Sequence, residues 1–281
     1  MVAIKTPEEI EIMASGGKIL AEVVKKLEKE VRPGVTTKYL DGLAEDLIFK
    51  FGGECSFKGY AVADDSSPNK IYPSCLCASV NEQIVHAIPS DRILKDGDII
   101  SLDIGMKYKG FHNDMAVTVP VGKISDEAKR LLKVTKKSLE LAIEKVKPGN
   151  RIGDISRTVQ KYVEGQAYSA RGASGPFRGF GVVRELCGHG IGREVHEDPE
   201  ILNSVTPDKT MVDKVGYTDD GKIELKEGMV FCIEPMVTVG DWRIKKSADG
   251  FGFETKDGSL SCHFEHTIAV VRGGYKILTE L

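Results

Sequence analysis

Asp103, Asp114, His189, Glu234 and Glu265 follow one another along the chain, each in a stretch where its charge or imidazole stands out from its neighbours. Asp103 and Asp114 lie in DIISLDIGMKYKGFHNDMAVTV, two alternating runs separated by a short polar turn containing glycine, which is the pattern of a β-hairpin. Pairing the arms symmetrically about Tyr108 and Lys109 sets the two aspartates directly opposite each other. Alternation puts Ser101, Asp103 and Gly105 on one face, with Ile100, Leu102, Ile104 and Met106 on the other. On the second arm His112, Asp114, Ala116 and Thr118 share the aspartate face, and Met115, Val117 and Val119 oppose it. Like charges across a strand pair repel and destabilise it. A cation between them turns that defect into a site.

His189 stands between two glycines in CGHGIGREVHEDP, and His196 follows seven residues later. Glycine there permits close backbone approach and positive φ. Glu234, in MVFCIEPMV, and Glu265, in SCHFEHTIAVV, interrupt otherwise apolar, strand-forming runs. Singly, each glutamate reads as an outward-facing residue on a half-exposed strand. Together with the aspartate pair and His189 they make four carboxylates and one imidazole, enough charge to balance two divalent cations. This hard, oxygen-rich set suits Mn²⁺, Fe²⁺ or Co²⁺ and differs from the thiolate set of structural zinc. Two such ions about 3.5–4 Å apart can bridge a water, lower its pKa and present hydroxide to a carbonyl.

The elements that must position these residues alternate between helices and strands. Thr6-Pro7-Glu8-Glu9 is a capping box with proline in the first turn. It opens a helix with Ile12, Ile19, Val23 and Leu27 near one face, stopping at Arg32-Pro33-Gly34. A second helix spans about 37–51, and strands are expected near 75–81, 98–106 and 111–119. Ser125 caps a third helix ending before Pro148-Gly149, a fourth runs over about 152–163, and strands follow near 181–186, 228–239 and 260–271. VRPGVTTKYLDGLAEDL and VKPGNRIGDISRTVQKY align, 115 residues apart. The expectation is an α+β chain in a single domain, 1–281, with related halves at 6–122 and 123–281 sharing one sheet and carrying helices on its outer face. Residues 166–181 and 203–227 read as surface excursions, rich in glycine, serine and turn signals.

The chain has 281 residues, is 41% hydrophobic and 29% charged, and carries a net charge of −3, a balance that excludes disorder and offers nothing to a polyanion. The lysines of AKRLLKVTKKSLELAIEKVK alternate with glutamates at helical spacing and form a solvated face rather than a nucleic-acid patch. Six cysteines without CxxC pairing are expected to be reduced thiols of a cytoplasmic protein. Neither a signal peptide nor an apolar run of membrane-spanning length is expected.

SVNEQIVHAIP, SLDIG, FHNDMAVTV, CGHGIGREVHEDP, FCIEPM and FEHTI, in this order, resemble a type I methionine aminopeptidase with the pita-bread fold (the creatinase/aminopeptidase architecture). The resemblance spans nearly the whole chain. It implies two divalent metal ions (Co, Mn or Fe, with Zn and Ni as further candidates) and a monovalent cation. By it, Asp103 is a bidentate ligand of one ion, Asp114 and Glu265 bridge both, and His189 and Glu234 complete the other. Glu234 also shuttles a proton, His196 polarises the scissile carbonyl and stabilises its oxyanion, and His86 contacts the scissile amide. The implied reaction removes N-terminal methionine from peptides and nascent proteins, with a preference for a small second residue, through a metal-bridged hydroxide. The implied setting is a cytoplasmic monomer working beside the ribosome.

Tyr72, Cys77 and His86 fall on the family's substrate-pocket positions, whereas Phe251 stands where many members have tryptophan and Val195 where many have phenylalanine. The expectation is a wider pocket that still prefers methionine but admits leucine. A proline-specific dimetal peptidase shares the five ligands yet usually carries a large N-terminal domain. A non-catalytic relative that binds protein or RNA would have lost ligands that are all present here.

Overall fold

A computed structural model describes residues 1–62, 70–166, 179–205 and 219–281. The greater part of both expected excursions, 167–178 and 206–218, lies outside the described residues. At the first helix, α1 (Pro7–Glu30), the Thr6 hydroxyl accepts from the Glu9 N–H and the Glu9 carboxylate accepts from the Thr6 N–H, closing the capping box. Its buried face runs through Ile10, Met13, Gly17, Leu20, Val24 and Leu27, while Ile12 and Ile19 are only partly covered. Val23 and Leu27 of the expected face are fully buried, and the covered face extends to Gly17, where a Cβ would stand 2.1 Å from the Leu278 carbonyl oxygen.

Helix α2 (Thr37–Lys50) packs on α1, and α3 (Asp126–Ile143), capped by the Ser125 hydroxyl, packs on α4 (Ile152–Glu164). The turns before α2 and α4 repeat one bonding scheme. Gly34 (φ 93°) donates its N–H to the Leu94 carbonyl, and Leu94 donates back to Val35. Gly149 (φ 89°) likewise donates to Leu225, and Leu225 donates back to Asn150. Positive φ is open to glycine at little cost. None of the four helices is long and apolar enough to cross a membrane, among the described residues.

Among the described residues nine strands form the main sheet: β1 (Glu54–Cys55), β2 (Leu76–Val80), β3 (Ile99–Tyr108), β4 (Phe111–Pro120), β5 (Cys187–Gly190), β6 (Glu197–Leu202), β7 (Val230–Ile233), β8 (Glu265–Val271) and β9 (Gly274–Ile277). Their order is β1-β3-β4-β8-β7-β5-β6, with β2 also on β3 and β9 on β8, and every pairing is antiparallel. Ile100, Leu102, Ile104 and Met106 of β3 join Leu20, Leu27, Leu40 and Ile48 of the helices in the main apolar core. The opposite face, carrying the aspartates, is therefore turned away from α1 and α2.

The expected hairpin register needs correction. The tight turn is Lys109-Gly110, both at positive φ (50° and 85°), so Tyr108 pairs with Phe111 and Asp103 with Ala116, while Asp114 faces Gly105. This is the two-residue connection that suits strand twist. The shift is by two residues, so the aspartates keep their common face but stand diagonally.

The expected strands at 228–239 and 260–271 are each broken. Pro235 lacks the N–H a ladder needs, and β7 ends at Ile233, before Met236–Val239 joins a second sheet with Ser261–His263 and Phe180–Val182. The other strand breaks at Phe264, between Ser261–His263 and β8. Glu234 and Glu265 therefore both sit where the chain passes from one sheet to the other.

The cysteine expectation is also corrected. Cys55 and Cys75 form a disulfide, their Cα atoms 5.2 Å apart, because β1 lies beside β3 and the residue before β2 reaches the same edge. Cys77, Cys232 and Cys262 are buried thiols outside the disulfide.

Candidate dimetal site

The sheet gathers the five expected ligands in one place. Oxygens of Asp103, Asp114 and Glu265 lie within 4.8 Å of one another, and ligand atoms of His189, Cys232 and Glu265 form a second such group. Glu265 belongs to both. His189 Nε2 stands 3.6 Å from Glu234 Oε1, which brings the fifth residue to the second group.

Hydroxyls set the strands that carry these groups. The Thr267 hydroxyl accepts from the Asp114 N–H (2.9 Å) and donates to the Asp114 carbonyl (2.8 Å), standing in for the ladder where β8 leaves β4. Thr118 does the same for the other strand end, donating to the His263 carbonyl and accepting from the His263 N–H. Asn203 donates its amide to the carbonyl of Glu234 at the sheet crossing.

Gly188 and Gly190 frame His189 for a reason of space, neither being at positive φ. A Cβ on Gly188 would lie 2.3 Å from the Cys232 carbonyl oxygen, and one on Gly190 would lie 2.1 Å from that of Asp198. His189 donates Nδ1–H to the Gly190 carbonyl at 3.0 Å, which leaves the Nε2 lone pair facing the carboxylates.

Four carboxylates with relative exposures of 2–8% cannot share this space as anions without compensation. Burial holds Asp103 up to about 6, little relieved by His263. Burial, then the charges of Glu265 and Asp103, push Asp114 well above the carboxylate range, and Glu234 and Glu265 are raised by burial and by Asp103. Glu265 Oε1 is buried without a hydrogen-bond partner. Burial, with His196 beside it, lowers His189 to about 3, so its imidazole is neutral. Unpaired carboxylate oxygens and a neutral imidazole with a free nitrogen are what divalent cations require, so the residues present fit a pair of hard metal ions. Cys232 is an unexpected neighbour. Burial raises its thiol well above the ordinary range, so it keeps its proton and lies 3.6 Å from the Thr267 hydroxyl.

The expected helpers surround this cluster. His196 meets His189 edge to face at 4.4 Å between ring centroids, and its Nδ1 is 2.7 Å from the Tyr60 hydroxyl. The turn that carries it is tied by Glu197, which accepts from the Arg193 N–H and pairs with buried Lys5 at 2.6 Å. His86 sits at φ 59°, a backbone state that a residue with a Cβ adopts only under constraint, and packs on Phe253. Desolvation, with His196 and His263 nearby, lowers its imidazole to about 4, although the residue keeps an exposed surface.

Of the pocket residues, Tyr72 and Phe251 meet edge to face at 5.7 Å, and Phe57 contacts the other side of Tyr72 at 6.5 Å. Cys77 and Val195 are buried. Besides Cys232, residues with no place in the sequence expectation stand in this region, among them Phe57, Tyr60, Thr267 and His263. His263 is fully enclosed, with both ring nitrogens unbonded and Nε2 3.4 Å from Glu234 Oε2. The alternation of SCHFEH pointed to it, two residues before Glu265. Nothing local pointed to Tyr60.

Comparison with known proteins agrees with this geometry. Residues 11–272 match the model of metallopeptidase family M24. Methionine aminopeptidase 1 of Bacillus subtilis is 43% identical over the whole of both chains. The methionine aminopeptidase of Escherichia coli K12 is 40% identical over 99% of this chain and 94% of its own. The crystal structure of methionine aminopeptidase from Thermotoga maritima superposes with a TM-score of 0.85 at 39% identity, covering all of both chains. Prolidase from Pyrococcus furiosus, at 21% identity and a TM-score of 0.69 over 99% of this chain and 65% of its own, shares the fold. The architecture is the pita-bread fold.

Proposed function

Because the chain belongs to metallopeptidase family M24 and is a metal-dependent aminopeptidase, we propose that it removes N-terminal methionine from peptides and nascent proteins, with preference for a small second residue. The convergence of all five candidate ligands on one cluster, with Glu265 common to both groups, supports the two-metal chemistry, and the full-length likeness to relatives named methionine aminopeptidase supports methionine as the residue released. Asp103, Asp114 and Glu265 would hold one ion, and Glu265 with His189 and Glu234 the other. When bound, the two ions supply Lewis-acid activation of the attacking water and a seat for the free amine.

The chain's own groups do the rest. Glu234, at the edge of the cluster beside His189 and His263, takes the proton of the attacking water and returns it to the leaving amine. His196 donates to the developing oxyanion, and His86 contacts the scissile amide. Tyr72, Cys77, Phe251 and Val195 receive the side chain. The matched turns at Gly34 and Gly149 support reading the chain as one catalytic domain built of two related halves.

The test is hydrolysis of a Met-Xaa-Ser series beside Xaa-Pro peptides. The reading expects methionine release that falls as Xaa grows, and little cleavage of Xaa-Pro peptides whose first residue is not methionine. Preference for the Xaa-Pro bond would replace it with a proline-specific activity.

A further inference from the structure

Tyr60 and His196 lie 136 residues apart in sequence, yet the phenol oxygen is 2.7 Å from His196 Nδ1 and the rings meet edge to face at 5.1 Å. We propose that Tyr60 is a positioning residue: its hydroxyl donates to His196 Nδ1 and keeps the single proton of the neutral imidazole on Nε2, where it can be given to the oxyanion. This rests on the oxyanion role assigned to His196 above.

A neutral imidazole has one N–H and one lone pair, and the group bonded to one nitrogen decides what the other presents. With Nδ1 committed as acceptor, Nε2 must be the donor. With Nδ1–H instead, Nε2 would offer a lone pair to a negatively charged oxygen and repel it. Tyr60 can serve as donor because desolvation and the nearby Glu194 raise its hydroxyl above the ordinary value, so it stays protonated.

The bond is not forced by burial. Tyr60 is 37% exposed, so its hydroxyl has water available and does not need an imidazole to be satisfied. The backbone is nonetheless held. Gly59 donates to the Tyr72 carbonyl and Tyr72 donates to the Tyr60 carbonyl, each at 2.9 Å. The phenol is thereby strapped to the pocket residue on one side and aimed at His196 on the other.

The experiment compares the parent with Tyr60→Phe, which keeps the ring and removes the donor. For metal-loaded protein one measures metal content, kcat and KM on Met-Ala-Ser. With histidine labelled in ¹⁵N and Zn²⁺ as the diamagnetic metal, one reads the tautomer of His196 by NMR. The parent should show Nε2 protonated. Tyr60→Phe should keep its metal and its KM within about twofold, lose roughly five- to tenfold in kcat, the scale of one hydrogen bond, and move the proton distribution toward Nδ1. In a His196→Ala background, itself slowed about 10²–10³-fold, adding Tyr60→Phe should cost nothing more.

A parent spectrum with the proton on Nδ1, or a Tyr60→Phe enzyme with unchanged kcat and spectrum, overturns the proposal while leaving the oxyanion role intact. Full activity of His196→Ala overturns the oxyanion role instead, and with it the catalytic part of the proposal, whatever the tautomer.

Discussion

Asp103 is the residue on which the metal argument turns, because it is one of three carboxylates whose oxygens lie within 4.8 Å of one another and burial already holds it up to about 6. Asp103→Asn removes one charge and the chance of bidentate binding, so metal affinity and turnover should both collapse. Calorimetric titration with Mn²⁺ beside a Met-Ala-Ser assay checks this, and two tightly held ions at near-parent rate would contradict it. The four candidate carboxylates stood out in sequence because a charged residue in an apolar strand is an anomaly in one dimension, and His189 stood out by its flanking glycines. The partners of those ligands were not, since Tyr60 reaches His196 and Thr267 reaches Asp114 only through the fold. Val195 and Phe251 are proposed here as walls of the side-chain pocket, and discrimination by apolar fit alone amounts to about 1–3 kcal/mol per methylene. Methionine should therefore remain preferred while N-terminal leucine is cleaved at a measurable rate, and Val195→Phe should raise the Met/Leu ratio of kcat/KM. Undetectable leucine cleavage in the parent, with ratios unmoved by Val195→Phe, would show that other residues close the pocket.

At the scale of elements, the hairpin face was readable and its register was not. Alternation reports which side a residue faces, whereas register depends on the turn, and Lys109 adopting φ 50° beside Gly110 moves the pairing by two. The breaks at Glu234-Pro235 and Phe264 escaped notice for a related reason: hydrophobicity continues across them while the chain changes sheets. The disulfide between Cys55 and Cys75 has no spacing signature and depends on β1 and β2 both flanking β3. Close backbone approach, in contrast, left a clear mark in the glycines around His189. Gly190→Ala would press a methyl into the Asp198 carbonyl, which neither strand can yield without moving His189. Overpacking of this kind costs about 1–3 kcal/mol. The variant should melt below the parent in calorimetry and bind metal more weakly, and an unchanged midpoint would show that β5 and β6 part freely.

For the whole molecule, the cluster sets stability against function. In metal-free protein Asp103 is raised from 3.8 to about 6, and Asp114, Glu234 and Glu265 are raised as well. The folded state then binds more protons than the unfolded one through and above that window, so stability is present at low pH and lost as pH rises. Thermal midpoints of chelator-treated protein should fall between about pH 4 and pH 7 through this cluster, and Mn²⁺ should restore more stability at pH 7 than at pH 5. An equal metal effect at both values would mean that the carboxylates are compensated by other groups. The α+β plan was legible from the alternation of helical and strand patterns, and the repeated turn sequences mark two places where Gly34 and Gly149 make the same bonds.

The most direct measurement is release of free methionine from Met-Ala-Ser by metal-stripped protein titrated with Mn²⁺, Fe²⁺ or Co²⁺, with N-acetylated Met-Ala-Ser as the blocked control. The account predicts no release without metal, saturable release as metal is added, and none from the blocked peptide. Metal-loaded protein that binds its ions yet releases no methionine, or that cleaves the blocked peptide equally well, would contradict it.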